Sequence, residues 1–140
     1  MRAPVLVVPG RERYHEVTLA IWAVLLGLVY LVGGPRSPAI AASVSPPWSW
    51  IFATGLLIGG VLTLGGSYWL TDVERGLDLE RAGLIALTGA LPVYVAAVFA
   101  TSGWPGLTAA GLAAAWTWAN VRRAVAITQD LRLIRGTESG

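Results

Sequence analysis

Long apolar segments alternate with short polar ones along this chain of 140 residues. Four stretches contain no Asp, Glu, Lys, Arg or His, at residues 17–32, 51–70, 83–100 and 107–121. An apolar helix of about 17–25 residues is long enough to cross the hydrocarbon core of a bilayer. The pattern therefore predicts an all-α protein, an integral membrane antiparallel four-helix bundle. The predicted spans cover about residues 17–33, 50–70, 82–100 and 105–121.

The remaining residues fit a single membrane domain over residues 1–140. Residues 1–16 form an N-terminal arm, and residues 122–140 form a C-terminal tail. Four prolines and three serines at residues 34–47 indicate the longer external loop. The acidic residues at 71–79 indicate a turn, with the third helix following from Glu80.

The arginines lie almost entirely on one side of this arrangement. Cytoplasmic flanks of membrane proteins carry the excess of basic residues, so both termini are expected in the cytoplasm of a bacterial cell, around the cytoplasmic (inner) membrane. Only Arg36 falls on the outer side. The inner-side residues are Arg2, Arg11, Arg13, Arg75, Arg81, Arg122, Arg123, Arg132 and Arg135.

Tyr and Trp support the same topology, because they concentrate at the two membrane–water interfaces. The outer level holds Tyr30, Trp48, Trp50 and Trp104. The inner level holds Tyr14, Tyr68, Trp69, Trp116 and Trp118.

A cleaved signal peptide is the alternative interpretation of the first span. Three arginines precede the apolar run, and Ala39-Ile40-Ala41 matches a small-residue cleavage site. The run is long for a signal, however, and Arg36 lies where a neutral cleavage region is expected. A retained first helix is favoured.

Composition argues against catalysis. Hydrophobic residues make up 55% of the chain, the net charge is +2, and there is one histidine and no cysteine. Thiolate chemistry and cysteine metal sites are excluded, and a histidine-based metal site or a bis-histidine haem is disfavoured. We therefore expect no enzyme activity, no catalytic or metal-binding residues and no cofactor. The short basic tail does not indicate nucleic-acid binding.

The second span carries a small residue at every fourth position, and we call Gly55, Gly59, Thr63 and Ser67 the small-residue ridge. Small residues let membrane helices approach closely. Two uses remain open: a homo-oligomer interface, or packing inside the same bundle against the third or fourth helix. Packing inside the bundle is the commoner use.

Four ionisable residues lie at the inner ends of the predicted spans and could be either solvated flanks or functional groups. His15 and Glu16 precede the first span, and Glu80 and Arg81 precede the third. The sequence favours solvated flanks at all four positions. Glu16 invites comparison with the essential glutamate of four-helix multidrug exporters, but that glutamate lies inside the first helix.

No glycine or proline ends the fourth helix before Gly136, so a continuous helix is expected to project beyond the bilayer. Val121, Ala124, Ile127, Leu131 and Ile134 recur at helical spacing, and this apolar stripe is suited to a partner helix or the lipid surface. A frayed flank is the alternative. The candidate lipid-headgroup or partner contacts are Arg122, Arg123, Leu131, Arg132, Ile134 and Arg135.

The second half of the chain resembles a group of known proteins. The segments LERAGL at 79–84, VY at 93–94, WANVRR at 118–123 and DLRLIR at 130–135 are similar to those of small four-span membrane proteins from actinobacterial phages and prophages. Some of those proteins are regarded as holins or lysis accessories. The resemblance implies a role in phage lysis or at the phage–membrane boundary.

Two functions follow as hypotheses. The first is a non-enzymatic holin or lysis accessory that acts by self-assembly as a homo-oligomer in the lipid bilayer. The second is a membrane anchor or interaction subunit that recruits a cytoplasmic or membrane protein partner through the C-terminal helix.

Overall fold

The computed structural model describes residues 14–34, 36, 38–68 and 72–138, which are helical apart from short connections. No strand occurs in those ranges, so the all-α prediction is confirmed for them. The predicted arm before Tyr14, Trp69 and the last two residues lie outside them. The elements are α1 (Tyr14–Leu31), α2 (Pro38–Ser43), α3 (Pro46–Tyr68), α4 (Val73–Ser102), a 3₁₀ turn (Trp104–Gly106) and α5 (Leu107–Glu138).

The four long helices pack in chain order, α1 on α3, α3 on α4 and α4 on α5. Neighbours run antiparallel, because Gly59 of α3 lies opposite Gly83 and Leu87 of α4 whereas the earlier Gly55 lies opposite the later Ala90. By contrast, α1 and α5 are not packed closely along their lengths. The bundle is therefore open on the side where its first and last helices face each other.

Glycines bring α3 and α4 into backbone contact. A Cβ atom added at Gly83 would lie 2.5 Å from Thr63 N, and one added at Gly66 would lie 2.5 Å from Glu80 N. Real Cβ contacts are never this short, so any larger residue at either position would force the helices apart. This close approach fixes the relative position of the two central helices.

The turn predicted at residues 71–79 is too long, because helix α4 already begins at Val73. The Asp72 side chain caps the helix by accepting hydrogen bonds from Glu74 N at 3.1 Å and Arg75 N at 3.4 Å. An N-cap carboxylate satisfies donors that a helix start leaves unpaired. Two further turns of helix therefore precede Glu80.

The segment predicted as the external loop contains a helix that the sequence did not predict. The short helix α2 lies against α4, with Ile40 buried and Ser43 Oγ donating to the Ala97 carbonyl oxygen over 3.4 Å. The following helix, α3, begins at Pro46, a residue suited to a first helical turn.

The prediction of a continuous C-terminal helix is confirmed. Helix α5 has 32 residues, a length of about 48 Å at 1.5 Å per residue. Its second half packs along the start of α4, where Leu84, Ile127 and Leu131 form a buried cluster flanked by Leu77 and Ala124. The two helices thus form a hairpin that extends beyond the apolar segments.

Within the described residues, two helices are long and apolar enough to cross a membrane, Pro46–Tyr68 and Val73–Ser102. The apolar helix His15–Leu31 is shorter. This criterion rests on length and composition alone.

Candidate functional site

A buried ion pair joins α4 to α5 at one end of the bundle. Arg123 Nε donates a hydrogen bond to Glu80 Oε1 over 2.9 Å, and Glu16 Oε1 of α1 lies 3.6 Å from the same nitrogen. The Glu80 side chain is 2% exposed and the Arg123 side chain 11%, whereas Glu16 is partly open to its surroundings. Three helices therefore place one cation and two carboxylates around one point, which we call the inner cluster.

The acidic neighbours keep Arg123 charged. Burial alone would lower the pKa of this guanidinium, but the hydrogen bond and charge of Glu80, followed by the charge of Glu16, raise the pKa above its ordinary value. Arg123 consequently remains protonated at any pH that a cell reaches. A charge this deeply buried is tolerated only when it is paired, so Glu80 and Arg123 depend on each other.

The interpretation of Glu80 as a solvated flank is therefore wrong. It rested on the position of Glu80 just before an uncharged stretch, which did not reveal that the next helix contributes a partner. The Arg123 side chain faces the bundle interior while Arg122 is exposed, and contact of either arginine with a headgroup or partner stays a prediction. His15 is exposed, as expected for a flank.

A cavity of about 190 Å³ opens beside the inner cluster. Its wall includes His15, Glu16, Thr63, Asn120 and Arg123. Two buried donor atoms near this cavity, Asn120 Nδ2 and Arg123 Nη2, have no hydrogen-bond acceptor among the residues that the structure describes. An unmet buried donor costs on the order of 1–3 kcal/mol.

A larger apolar groove of about 680 Å³ lies between α1 and α5, with α3 and α4 as its floor. Leu26 and Tyr30 of α1 face Leu112 of α5 across it, and Phe52 and Leu56 of α3 form part of the floor. The groove and the cavity share Leu19 and Trp116. The apolar groove and the more polar cavity are therefore neighbours in the bundle.

The small-residue ridge lies inside the bundle. Gly59 faces Leu87 and Gly55 faces Ala90, and Thr63 is buried with its hydroxyl donating to the Gly59 carbonyl oxygen over 2.8 Å. Ser67 Oγ donates to the Thr63 carbonyl oxygen over 2.9 Å and is partly buried. The ridge thus packs against α4 of the same chain, which is the commoner of the two uses weighed from the sequence.

The candidate contact residues of the tail divide into two groups. Leu131 is 2% exposed and packs with Ile127 and Leu84 of the same chain. Arg135 Nε donates to Glu74 Oε1 over 2.6 Å and its Nη2 to Asp78 Oδ2 over 2.8 Å. By contrast, Arg122 and Arg132 are exposed and Ile134 is partly buried. The apolar stripe of the tail therefore lies largely against α4.

The described helices expose many large apolar side chains and bury a few polar ones. Ser49, Thr63, Glu80 and Asn120 are buried. Large apolar side chains are exposed on all four long helices, including Trp22, Ile58, Ile85 and Leu112. Extensive exposed apolar surface marks a region that contacts lipid or another protein.

No group of three or more His, Cys, Asp or Glu side chains that could hold a metal ion occurs in residues 14–138 as far as they are described. Comparison with known proteins adds no assignment: no family model, curated protein or solved structure matches this chain.

Proposed function

We propose that this chain is a multi-pass protein of the bacterial cytoplasmic membrane, in which α1, α3, α4 and α5 cross the bilayer and both termini are cytoplasmic. The large apolar side chains exposed on all four long helices carry this proposal, because an apolar outer surface is stable in lipid and costly in water. The arginine distribution supports the orientation. In this arrangement the inner cluster lies at the cytoplasmic end of the bundle.

Reporter fusions test the topology. Alkaline phosphatase, which is active only outside the cytoplasm, is expected to be inactive when fused after residue 140 and active when inserted at Ser43. A fluorescent protein that folds only in the cytoplasm serves as the matched reporter, with the opposite pattern. An active phosphatase after residue 140 would overturn the orientation.

We further propose that the protein is non-enzymatic and holin-like, and that it permeabilises the membrane by self-assembly. Among the described residues, side chains such as Leu56, Leu87 and Ile127 fill the interior between the packed helices, so that interior offers no aqueous path. A conducting lesion would therefore require several copies. The resemblance of the second half to phage membrane proteins, drawn from the sequence alone and matched by no known protein in the comparisons, is what suggests this function.

The surface proposed for self-assembly is an apolar cleft of about 500 Å³ between α1 and α3. Ile21 and Val24 of α1 and Val61 and Leu64 of α3 line it. Val61 is nine residues from Phe52, which is two and a half helical turns, so this cleft lies on the side of α3 opposite the groove. The small-residue ridge is already occupied by α4 and is not proposed as the interface.

Inducible expression in a bacterial host tests this function. Wild-type protein is expected to cause a sudden loss of membrane potential, followed with a potential-sensitive dye. Val61→Trp, which fills the cleft with an apolar side chain, should delay that loss. Ile85→Trp is the matched control, because Ile85 is similarly exposed on α4 but lies outside the cleft. Normal growth despite abundant membrane insertion would overturn the proposal.

A membrane anchor is the second candidate, and one observation favours it. Val125 and Leu133 are exposed on the part of α5 that extends beyond the apolar segments. They are eight residues apart, which places them on neighbouring parts of one helix face. A protein captured by the wild type and by Val61→Trp, but not by Leu133→Asp, would favour recruitment over self-assembly.

A further inference from the structure

The groove between α1 and α5 begins at the end of the bundle that carries the 3₁₀ turn. Tyr30, one residue before the end of α1, and Ala109, two residues after the start of α5, line this part of it. Tyr94 lines the groove further in. It lies eight residues before the end of α4, which is about 12 Å along the helix axis. The groove therefore reaches from the end of the bundle towards its middle.

Three aromatic side chains supply the polar side-chain atoms of this otherwise apolar lining: Tyr30, Tyr94 and Trp116. None of the three forms a hydrogen bond through its side chain with another residue in the part of the chain that the structure describes. All three residues are partly exposed, and their hydroxyl and indole groups are not among the fully buried donors that lack an acceptor. A molecule in the groove can therefore reach them.

The depth of Tyr94 restricts what that molecule can be. Tyr94 lies about 12 Å from one end of α4 and about 21 Å from Glu80 in the inner cluster, measured along the helix axis. In the proposed membrane arrangement this position is inside the ~30 Å hydrocarbon core. A phospholipid carries its ester and phosphate oxygens at the edge of that core, so its acyl chain would leave the Tyr94 hydroxyl unpaired. An occupant that pairs with Tyr94 must carry a polar atom within the hydrocarbon, where an unpaired hydroxyl is costly.

Trp116 indicates which kind of polar atom is needed. An indole N–H only donates hydrogen bonds, whereas a tyrosine hydroxyl can donate or accept. Tyr94 and Trp116 line the groove from α4 and α5, which pack against each other. An occupant that pairs with both must offer acceptor oxygens, as a carbonyl compound does.

We propose that the groove binds an isoprenoid quinone from the surrounding bilayer. Such a molecule carries two carbonyl oxygens on opposite edges of a flat ring, so Tyr94 and Trp116 donate to acceptors on one ligand. The ring packs against their aromatic side chains, and the apolar tail fills the rest of the groove. The volume of about 680 Å³ lies within the range of about 300–1,000 Å³ that is usual for small-molecule pockets. The site rests on the proposed membrane location, and it is independent of lysis.

The full-length protein, purified in a mild detergent and delipidated, tests this site with decylubiquinone, which has the quinone ring and a short apolar tail. Native mass spectrometry counts the bound molecules. Infrared difference spectroscopy follows the carbonyl stretch, which moves to lower frequency when a carbonyl oxygen accepts a hydrogen bond. The wild type is expected to bind one molecule with a lowered carbonyl frequency. An equal concentration of dioleoyl phosphatidylglycerol, or of the hydrocarbon squalane, should not displace it.

Two pairs of variants separate the hydrogen bond from the groove. Tyr94→Phe keeps the ring and removes the hydroxyl, so it should weaken binding by about five- to tenfold and reduce the shift in carbonyl frequency. Tyr30→Phe makes the same change at the other end of the groove and should alter neither. Leu112→Trp should obstruct the groove and abolish binding. Leu28→Trp, at an exposed position of α1 outside the groove, should not.

The outcomes identify the occupant. Unchanged binding and carbonyl frequency in Tyr94→Phe, with binding lost in Leu112→Trp, would overturn the quinone site and indicate a plain hydrocarbon chain. Equal effects of Tyr94→Phe and Tyr30→Phe would contradict the depth assigned to the ring. Displacement by squalane or phosphatidylglycerol would show that the carbonyl oxygens contribute nothing. Because binding is measured on purified protein, a failure in the reporter or membrane-potential experiments would leave these results readable on their own.

Discussion

Arg123 donates to the buried carboxylate of Glu80 over 2.9 Å, while Arg122, its neighbour in the chain, is exposed. The two arginines are adjacent in sequence and have different environments, because successive residues of a helix differ by about 100° in direction. Arg123 faces α4 and Arg122 faces away. One arginine therefore forms an ion pair inside the bundle, while the next arginine in the chain lies on its surface.

Removing one member of the ion pair should destabilise the protein strongly. Arg123→Leu leaves Glu80 as a buried charge without its guanidinium partner, an effect of about 3–5 kcal/mol. Arg122→Leu is the matched control and should change stability by less than about 0.5 kcal/mol. Thermal unfolding in detergent, followed by circular dichroism, measures both.

Removing both members should be less harmful than removing one. The double variant Glu80→Leu/Arg123→Leu replaces the pair by apolar side chains, and such replacements are often neutral or stabilising. We expect its melting temperature to exceed that of Arg123→Leu. Equal losses in the single and double variants would contradict the assignment of the pair.

Two glycines of α4 should respond to alanine in opposite ways. At Gly83 a Cβ would lie 2.5 Å from the Thr63 backbone nitrogen, whereas at Gly89 it would meet nothing within 4 Å. Gly83→Ala should therefore destabilise the protein by about 1–3 kcal/mol. Gly89→Ala should stabilise it by about 0.5–1 kcal/mol, because glycine is unfavourable in a helix interior. If both variants lowered the melting temperature equally, the α3–α4 contact would be wrong.

The end of α5 offers a matched pair of leucines. Leu131 is 2% exposed and Leu133 is 71% exposed. Leu131→Asp places a charge in the cluster with Leu84 and Ile127 and should separate the tail from α4, whereas Leu133→Asp should leave the hairpin intact. Amide hydrogen exchange over residues 122–138 measures this, with faster exchange expected in the first variant only.

The charges at the tip of the hairpin should stabilise it in a salt-dependent way. Arg135 donates hydrogen bonds to Glu74 and Asp78, and the hydrogen bond to Glu74, with the charges of both carboxylates, raises the pKa of its guanidinium. Arg135→Gln should accelerate amide exchange in the last two turns of α5. High salt should reduce the difference between wild type and variant, because the pairs are exposed and screened.

The long helices could be predicted from the sequence because each contains a long uncharged stretch. Uncharged stretches of this length have few other uses, and the run from Leu107 to Gly136 contains no proline to end α5. The start of α4 was missed because the charges around Arg75 resemble a solvated turn. Two of these charges, Glu74 and Asp78, pair with Arg135 of α5, a partner that the local sequence does not reveal.

The inner cluster was missed for a related reason. Glu80 and Arg123 are each a charge at the edge of an apolar run, and each alone resembles a flank. The signal was present in their spacing: Glu80 lies 23 residues before Gly103 and Arg123 lies 20 residues after it, so an antiparallel hairpin that turns there brings them to nearly the same depth. Burial and the unmet donor of Asn120 depend on side-chain packing, which no linear pattern contains.

The glycine contacts between α3 and α4 limit how this bundle can move. Gly83 abuts the backbone at Thr63, and Gly66 abuts the backbone at Gly76 and Glu80, so a slide of one helix along the other would drive a bulky side chain into main-chain atoms. Helices α3 and α4 must therefore move together as one rigid unit. Gly27 and Gly60 bring α1 into similar contact with the backbone of α3, so any opening of the molecule for assembly has to come from α5 moving away from the other helices. That movement would break the contact between Glu16 and Arg123.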